Sequence, residues 1–219
     1  MERTSPSKSR AALALLLLVP APSIGTVSAM WLFPGTALGS ALFAFCKLWL
    51  FALPVVWHRF VEGRALSLSP ARRGGFGVGA ATGLAISAVI LGAYVAFGDW
   101  VIETGRLRAE MQSVGLGSAR TFALGMAYWV LINSVLEEYV WRWFCLEKAA
   151  ALMPRGWAIA AAAGMFTLHH VFALLSYLGP SGVVLCSLGV FVGGALWNWM
   201  YQRYRSIWPA YLSHAIVDL

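Results

Sequence analysis

Two adjacent glutamates, Glu137 and Glu138, lie inside a long apolar run of this 219-residue sequence. A charge at the centre of a membrane segment costs roughly 3 kcal/mol on insertion scales, and segments tolerate it where it is paired or faces a cavity. Arg142 follows Glu138 by four residues, so in a helix the two side chains share a face and can pair. Glu137 projects about 100° away from Glu138 and has no such partner on its own helix. The spacing predicts a structural carboxylate at Glu138 and a reactive one at Glu137.

Two further apolar stretches carry His170 and the pair His214 and Asp218. Counted from the predicted cytoplasmic ends, Glu137 lies roughly 16 Å deep, His170 roughly 20 Å, and His214 and Asp218 roughly 10 and 16 Å. His214 and Asp218 are four residues apart and can face the same side. Three segments are therefore expected to place polar groups in one layer, in the middle to cytoplasmic half of the membrane.

Hydrolysis of a peptide bond is a reaction that this set of side chains could perform. It requires an activated water, a group that stabilises the oxyanion, and a proton for the leaving amine. A carboxylate in a cavity of low dielectric constant becomes a stronger base, and a polar pocket would have to deliver the water. The alternative interpretation of Glu137 is a packing or proton-relay carboxylate.

The composition describes a membrane protein, because 60% of the residues are hydrophobic and only 11% are charged. Soluble domains have about 25% charged residues. The net charge of +7 does not indicate nucleic-acid binding, since the basic residues lie mainly in short loops between apolar runs. We expect a single domain, residues 1–219, that is an all-α polytopic transmembrane helical bundle of about seven membrane segments.

The predicted segments cover residues 11–33, 37–57, 76–98, 121–148, 157–178, 183–201 and a short stretch from 207. The first could also be a signal peptide with cleavage after Val27-Ser28-Ala29, but its apolar character continues to Phe33, which favours a retained helix. A short amphipathic helix is possible within 99–119. The positive-inside rule predicts a cytoplasmic N-terminus. The inside cations would be Arg3, Lys8, Arg10, Arg59, Arg64, Arg72, Arg73, Lys148, Arg155, Arg203 and Arg205.

Three motifs on successive segments resemble those of the CAAX-protease and bacteriocin-processing family, a group of intramembrane glutamic endopeptidases. They are Glu137-Glu138-x-x-x-Arg142, Phe166-x-x-x-His170 and His214-x-x-x-Asp218. The family includes the eukaryotic Ras-converting endopeptidases and many bacterial Abi-type proteins. The resemblance covers roughly residues 120–219, which would carry the catalytic core.

The resemblance implies a role for each motif residue. Glu137 would activate a water together with His170. His214 and Asp218 match the pair proposed to stabilise the oxyanion. The supporting residues would be Glu138, Arg142 and Phe166, with Phe166 packed beneath His170.

This sequence departs from the family pattern at three positions. Asp218 stands where the family often has Asn, and an ionised Asp would repel an oxyanion, so it should be protonated or should orient His214. Trp143 follows the arginine where a small residue is common. His169 has no counterpart in the family motif, and we expect it to be a histidine whose hydrogen bonds are made within a helix interface.

The leading hypothesis is thus an endopeptidase that is itself an integral membrane protein, which we expect in a bacterial cytoplasmic membrane. It would act on a membrane-associated peptide or protein and would need no cofactor. One alternative is a zinc protease using Glu137, His170 and His214, although no His-Glu-x-x-His helix is present. Another is a non-catalytic immunity or transport protein. Cys145 would be a nucleophile only with a base in reach. Lys47, inside the second segment, has no assigned role.

Overall fold

A computed structural model describes residues 7–102, 104–113 and 115–219, and within these ranges the chain is helical and contains no strand. Arg3, one of the predicted cytoplasmic cations, lies outside the described residues. We number the helices of this part of the chain in order. They are α1 (Lys8–Leu32), α2 (Ala37–Val61), α3 (Phe76–Val101), α4 (Thr104–Ser113), α5 (Ala119–Leu152), α6 (Arg155–Tyr177), α7 (Pro180–Tyr204) and α8 (Trp208–Val217).

Three of these helices change their winding along their length. π-helical turns, with bonds from residue i to residue i+5, end α1 and α2 and occur twice inside α5. In α1, a break at Val19 precedes Pro20, which has no N–H to donate to the preceding turn. The π-helical stretches are Ser28–Leu32, Trp57–Val61, Trp129–Asn133 and Tyr139–Cys145.

The predicted all-α polytopic bundle is confirmed. Six helices of the described chain are long and apolar enough to cross a membrane, namely α1, α2, α3, α5, α6 and α7. The seventh predicted segment is α8, which has 10 residues and spans roughly 15 Å, too short to cross a bilayer by itself. Within 99–119, where a short amphipathic helix is expected, the structure has the 10-residue helix α4. The predicted ends agree with the observed ones to within a few residues because long apolar runs and turn residues define them.

The centre of the bundle is the second half of α5. Trp141 and Phe144 are buried there, in a core that also takes Leu18 from α1, Leu53 from α2 and Met200 from α7. Many large apolar side chains elsewhere are exposed, as expected of a surface that faces lipid tails. The charged motif of α5 is therefore enclosed by other helices.

The packing of α3 against α8 depends on two glycines. A Cβ on Gly79 would overlap the carbonyl oxygen of Pro209, and one on Gly83 would lie 2.9 Å from that of Ser213. Small residues at these two positions let the two helix backbones approach closely. This contact fixes the helix that carries His214.

Lys148 is a buried residue of the fold and not a loop cation as the topology argument assumes. Its side chain is fully buried, and its ammonium donates to Glu62 at 2.6 Å. Glu62 also lies 3.4 Å from His58 and 3.5 Å from Arg64, and Arg64 pairs with Glu147. The loop after α2 is thereby fixed to the end of α5.

The orientation in the membrane is a prediction that labelling can check. Single cysteines at Arg72 and at Gly117, in a background without the three native cysteines, should react with an impermeant maleimide from opposite sides. Position 72 should be labelled from the cytoplasmic side and position 117 from outside, because the loop of residues 62–75 is rich in arginine. The reversed pattern would contradict both the orientation and the depths counted from it.

Candidate active site

The two glutamates occupy a single α-helical stretch of α5, Ser134–Glu138, between two π-helical ones. Both are buried, with 6% of Glu137 and 0% of Glu138 exposed. π-turns insert an extra residue into a helix and are frequent at functional sites. Here they redirect the side chains on either side of the pair relative to a regular α-helix.

Glu138 connects two helices through its two oxygens. Its Oε2 lies 3.3 Å from Nε of Arg142, which is the ion pair that the spacing of four predicts. Its Oε1 lies 2.8 Å from Nδ1 of His214 on α8. A carboxylate only accepts, so Nδ1 of His214 donates this bond. The bond to His214 could not be read from the spacing, and it joins the first motif to the third.

Arg142 is completely buried among aromatic rings. Its guanidinium carbon lies 4.4 Å from the ring centre of Phe166 and 5.0 Å from that of Trp197. Cation–π contacts of this kind stabilise a charge that has left water. Glu138 is its ionic partner among the described residues. The pair is therefore a structural element beneath the site.

We predict that Arg142→Ala lowers the folded yield as well as the activity. Removing one member of a buried ion pair costs about 3–5 kcal/mol because the other charge stays buried without a partner. Size-exclusion profiles and thermal unfolding in detergent measure the effect, and Arg142→Lys, which keeps the charge, should lose less. Normal stability together with lost activity would instead place Arg142 in the chemical step.

His214 is held by a stacked ring and by carboxylates from two helices. Its ring stacks on Trp197 with centres 4.1 Å apart. With Nδ1 donating to Glu138, the other nitrogen, Nε2, lies 3.8 Å from Glu137 and 3.6 Å from Asp218. The structure thus brings together His214, Asp218 and both glutamates as the depth argument expects.

Asp218 directly follows the last turn of α8. Its Oδ2 accepts a hydrogen bond of 2.6 Å from the hydroxyl of Ser134 on α5. Its backbone N–H donates to the carbonyl of His214, which closes the helix. Ser134 was not among the predicted site residues, although it precedes Glu138 by four residues and so shares its face. The carboxylate is oriented by Ser134 and faces His214.

His170 lies on α6 with a defined tautomer. Its Nδ1 is 2.9 Å from the carbonyl oxygen of Phe166, which only accepts, so Nδ1 carries the proton and Nε2 has a free lone pair. The ring of Phe166 packs edge-on against His170 at 4.6 Å and against His214 at 6.2 Å. The charge of Glu137 interacts electrostatically with both histidines.

His169 lies beside His170, although neighbouring residues of a helix project about 100° apart. Its ring stacks on Trp141 at 5.4 Å, and its centre is 4.1 Å from that of His170. Its Nδ1 is buried and has no hydrogen-bond partner among the described residues. The expectation of a hydrogen-bonded interface histidine is therefore not met at this atom.

Lys47 of α2 reaches toward α5. Its ammonium donates to Oδ1 of Asn133 at 2.7 Å and lies over the rings of Phe51 and Trp129. Its charge interacts electrostatically with that of Glu137. The sequence does not single out Asn133, because it is uncharged, although it also lies four residues before Glu137.

The two alternative chemistries are a zinc site and a cysteine nucleophile at Cys145. Within the described part of the chain, no group of three or more histidine, cysteine or acidic residues is arranged to hold a metal ion. Cys145 is fully buried in the hydrophobic core, at 0% exposure, beside Phe144 and Trp141. It behaves there as a small apolar side chain.

Comparison with known proteins supports the resemblance of the three motifs. Residues 119–219 match the family described as Type II CAAX prenyl endopeptidase Rce1-like. The matched region runs from α5 to α8 and contains all three motifs, so the predicted family is confirmed over this region. No curated protein and no solved structure matches the chain significantly. Residues 119–219 thus resemble a family of membrane proteases, and the six apolar helices of the described chain support an integral membrane protein.

Proposed function

We propose that this chain, whose residues 119–219 belong to the Rce1-like family of CAAX endopeptidases, hydrolyses a peptide bond within the membrane with a water activated by Glu137 and His170. The observation that carries the proposal is the buried cluster formed by α5, α6 and α8. In it Glu137 lies within 3.8 Å of His214 and in the electrostatic field of His170. The catalytic core is the region 120–219.

The first step is attack of the water on the peptide carbonyl. Glu137, with the free Nε2 of His170, takes a proton from the water while the oxygen bonds to the carbonyl carbon. The carbonyl π-electrons move to the oxygen, and the resulting oxyanion accepts a hydrogen bond from Nε2–H of His214. Asp218 orients that imidazole.

The second step is collapse of the tetrahedral intermediate. The oxyanion re-forms the carbonyl and the C–N bond breaks. The proton held at Glu137 passes to the leaving amine. The hydroxyl of the water thus ends in the new carboxyl terminus and its proton in the new amino terminus. Glu138 and Arg142 take no part in the bond changes. Glu138 holds His214 as an imidazolium, whose Nδ1–H donates to Glu138 and whose Nε2–H donates to the oxyanion.

The substrate is a membrane-associated peptide or protein. The family name refers to prenylated CAAX substrates, but no feature of this sequence indicates a prenyl group. The described chain has no extended strand or large soluble unit, so we assign specificity to the membrane helices. We also retain a bacterial cytoplasmic membrane, with a cytoplasmic N-terminus, as the proposed location.

The test uses purified protein in liposomes with peptides that end in a CAAX sequence, with and without a prenyl group. Cleavage at one bond, detected by mass spectrometry and abolished in Glu137→Gln, supports the proposal. Stoichiometric zinc, together with chelator inhibition reversed by zinc, would favour the metalloprotease. Cleavage that survives Glu137→Gln would contradict the assigned mechanism, and absence of cleavage by the folded unmodified protein would favour a non-catalytic role.

A further inference from the structure

Lys47 is a cation in the middle of a membrane helix. It lies 10 residues after the start of α2 and 14 before its end, roughly 15 Å and 21 Å from the two ends. A lysine near a helix end can extend its ammonium to the interface, but one at this depth cannot easily do so. An ionisable residue in such a position indicates a functional site.

The protein uses only part of the hydrogen-bonding capacity of this ammonium. Its one hydrogen-bond acceptor among the described residues is Oδ1 of Asn133, which accounts for one of three N–H protons. The remaining contacts are the faces of Phe51 and Trp129, at 5.4 and 5.7 Å from the ring centres. Donors remain available on the side that the rings do not cover.

Asn133 adds a second unused donor. The residue is 1% exposed, and its Nδ2 is buried with no hydrogen-bond partner among the described residues. The assignment of its amide follows from Lys47, because an ammonium only donates and therefore faces Oδ1. A buried amide nitrogen without an acceptor destabilises the fold, so this donor is expected to have a partner that the described residues do not supply.

These donors lie beside the proposed catalytic groups. Asn133 precedes Glu137 by four residues on α5. The charge of Lys47 interacts electrostatically with Glu137 and with His169. His169 also has a buried nitrogen without a partner. An acceptor atom bound here would thus lie in the same region of the bundle as Glu137, to which we assign the activation of water.

We propose that Lys47 and Asn133 form a subsite that binds an oxygen of the substrate's main chain near the scissile bond. This inference rests on the proposed peptidase function and assigns part of its specificity. The bound group is a carboxylate at the peptide's C-terminus or an internal carbonyl, since both present oxygen acceptors to Nζ–H and Nδ2–H. The subsite fixes the register of the peptide relative to Glu137.

Binding without turnover tests the subsite separately from the chemistry. The probe is a fluorescent, prenylated CAAX peptide, made with a free carboxyl terminus or with a carboxamide, and the protein carries Glu137→Gln in liposomes. Adding Lys47→Met should raise the dissociation constant roughly tenfold to a hundredfold, as expected for loss of a hydrogen bond from a charged group. Asn133→Leu should raise it roughly twofold to tenfold. Lys47→Arg should recover part of the loss.

The matched control is Leu48→Met, which places the same new side chain at a neighbouring position that is 69% exposed to the lipid side. It should leave the dissociation constant unchanged. If Lys47→Met does not fold, as judged by thermal unfolding, Lys47→Gln carries the test in its place. Equal dissociation constants with and without the lysine overturn the proposal, whether binding is tight or weak.

The two peptides distinguish the occupants. If the free acid binds more tightly than the carboxamide and the difference disappears in Lys47→Met, the subsite holds the terminal carboxylate. If both peptides bind alike and Lys47→Met weakens the binding of both, the subsite holds an internal carbonyl.

In protein with Glu137 intact, Lys47→Met should raise KM while kcat changes little. A fall in kcat at constant KM overturns the subsite and makes Lys47 a positioning residue for Glu137. Turnover by Glu137→Gln in these samples contradicts the hydrolytic mechanism alone.

Discussion

Glu137→Gln is expected to lower kcat by at least about 10²–10⁴-fold, the usual contribution of a general base. Glutamine keeps the volume and the hydrogen bonding of the side chain but cannot take a proton from water. His170→Ala removes the partner and should cost a similar factor. Because the two act as one unit, the double variant should be little worse than either single one. The measurement is turnover of a cleavable membrane peptide by purified, folded variants in detergent or liposomes.

His169→Ala is the matched control for His170→Ala. Both remove an imidazole from the same turn of α6, and the two rings are 4.1 Å apart. His169 stacks on Trp141 and belongs to no motif, so its loss should cost far less activity. An inactive His169→Ala beside a normal His170→Ala would show that the second motif is wrongly assigned. Full turnover by Glu137→Gln would contradict the mechanism as a whole.

The fold could be predicted from the sequence because each membrane segment is defined by its own residues. A helix in lipid must satisfy its backbone internally, so a long apolar run bounded by turn residues defines one span. This is why α3 begins at the predicted Phe76 and α6 begins within two residues of the predicted Trp157. The pairing of Glu138 with Arg142 can be predicted for the same reason, since it depends only on a spacing of four residues within one helix.

The contacts between distant residues could not be predicted in this way. Glu138 meets His214 across 76 positions, and Lys47 meets Asn133 across 86. A single sequence shows which polar groups are buried but not which of them face one another. The π-turns of α5 add to the difficulty, because they shift side chains from the faces that a regular helix predicts. The sequence does not single out Asn133 and Ser134, because uncharged residues do not stand out in an apolar run.

His214→Ala is expected to lower kcat by about 10²–10³-fold, the effect of removing one donor to an oxyanion. KM should change little, because the bond to Nε2 forms fully only when charge develops on the substrate oxygen. The loss also leaves Glu138 with Arg142 as its remaining partner, so stability must be measured beside turnover. His214→Gln, which keeps a donor, should fold at least as well and recover part of the rate.

Asp218→Asn separates the donor from the residue that orients it. Asparagine can still accept the hydrogen bond from Ser134 through its amide oxygen, and it removes a charge that lies 3.6 Å from Nε2 of His214. Since that charge would repel an oxyanion, its removal should change kcat by no more than about tenfold, far less than loss of the imidazole. Asp218→Leu, which cannot accept from Ser134, should cost more than Asp218→Asn. If Asp218→Asn is as inactive as His214→Ala, the carboxylate takes part in proton transfer and the oxyanion role belongs to another group.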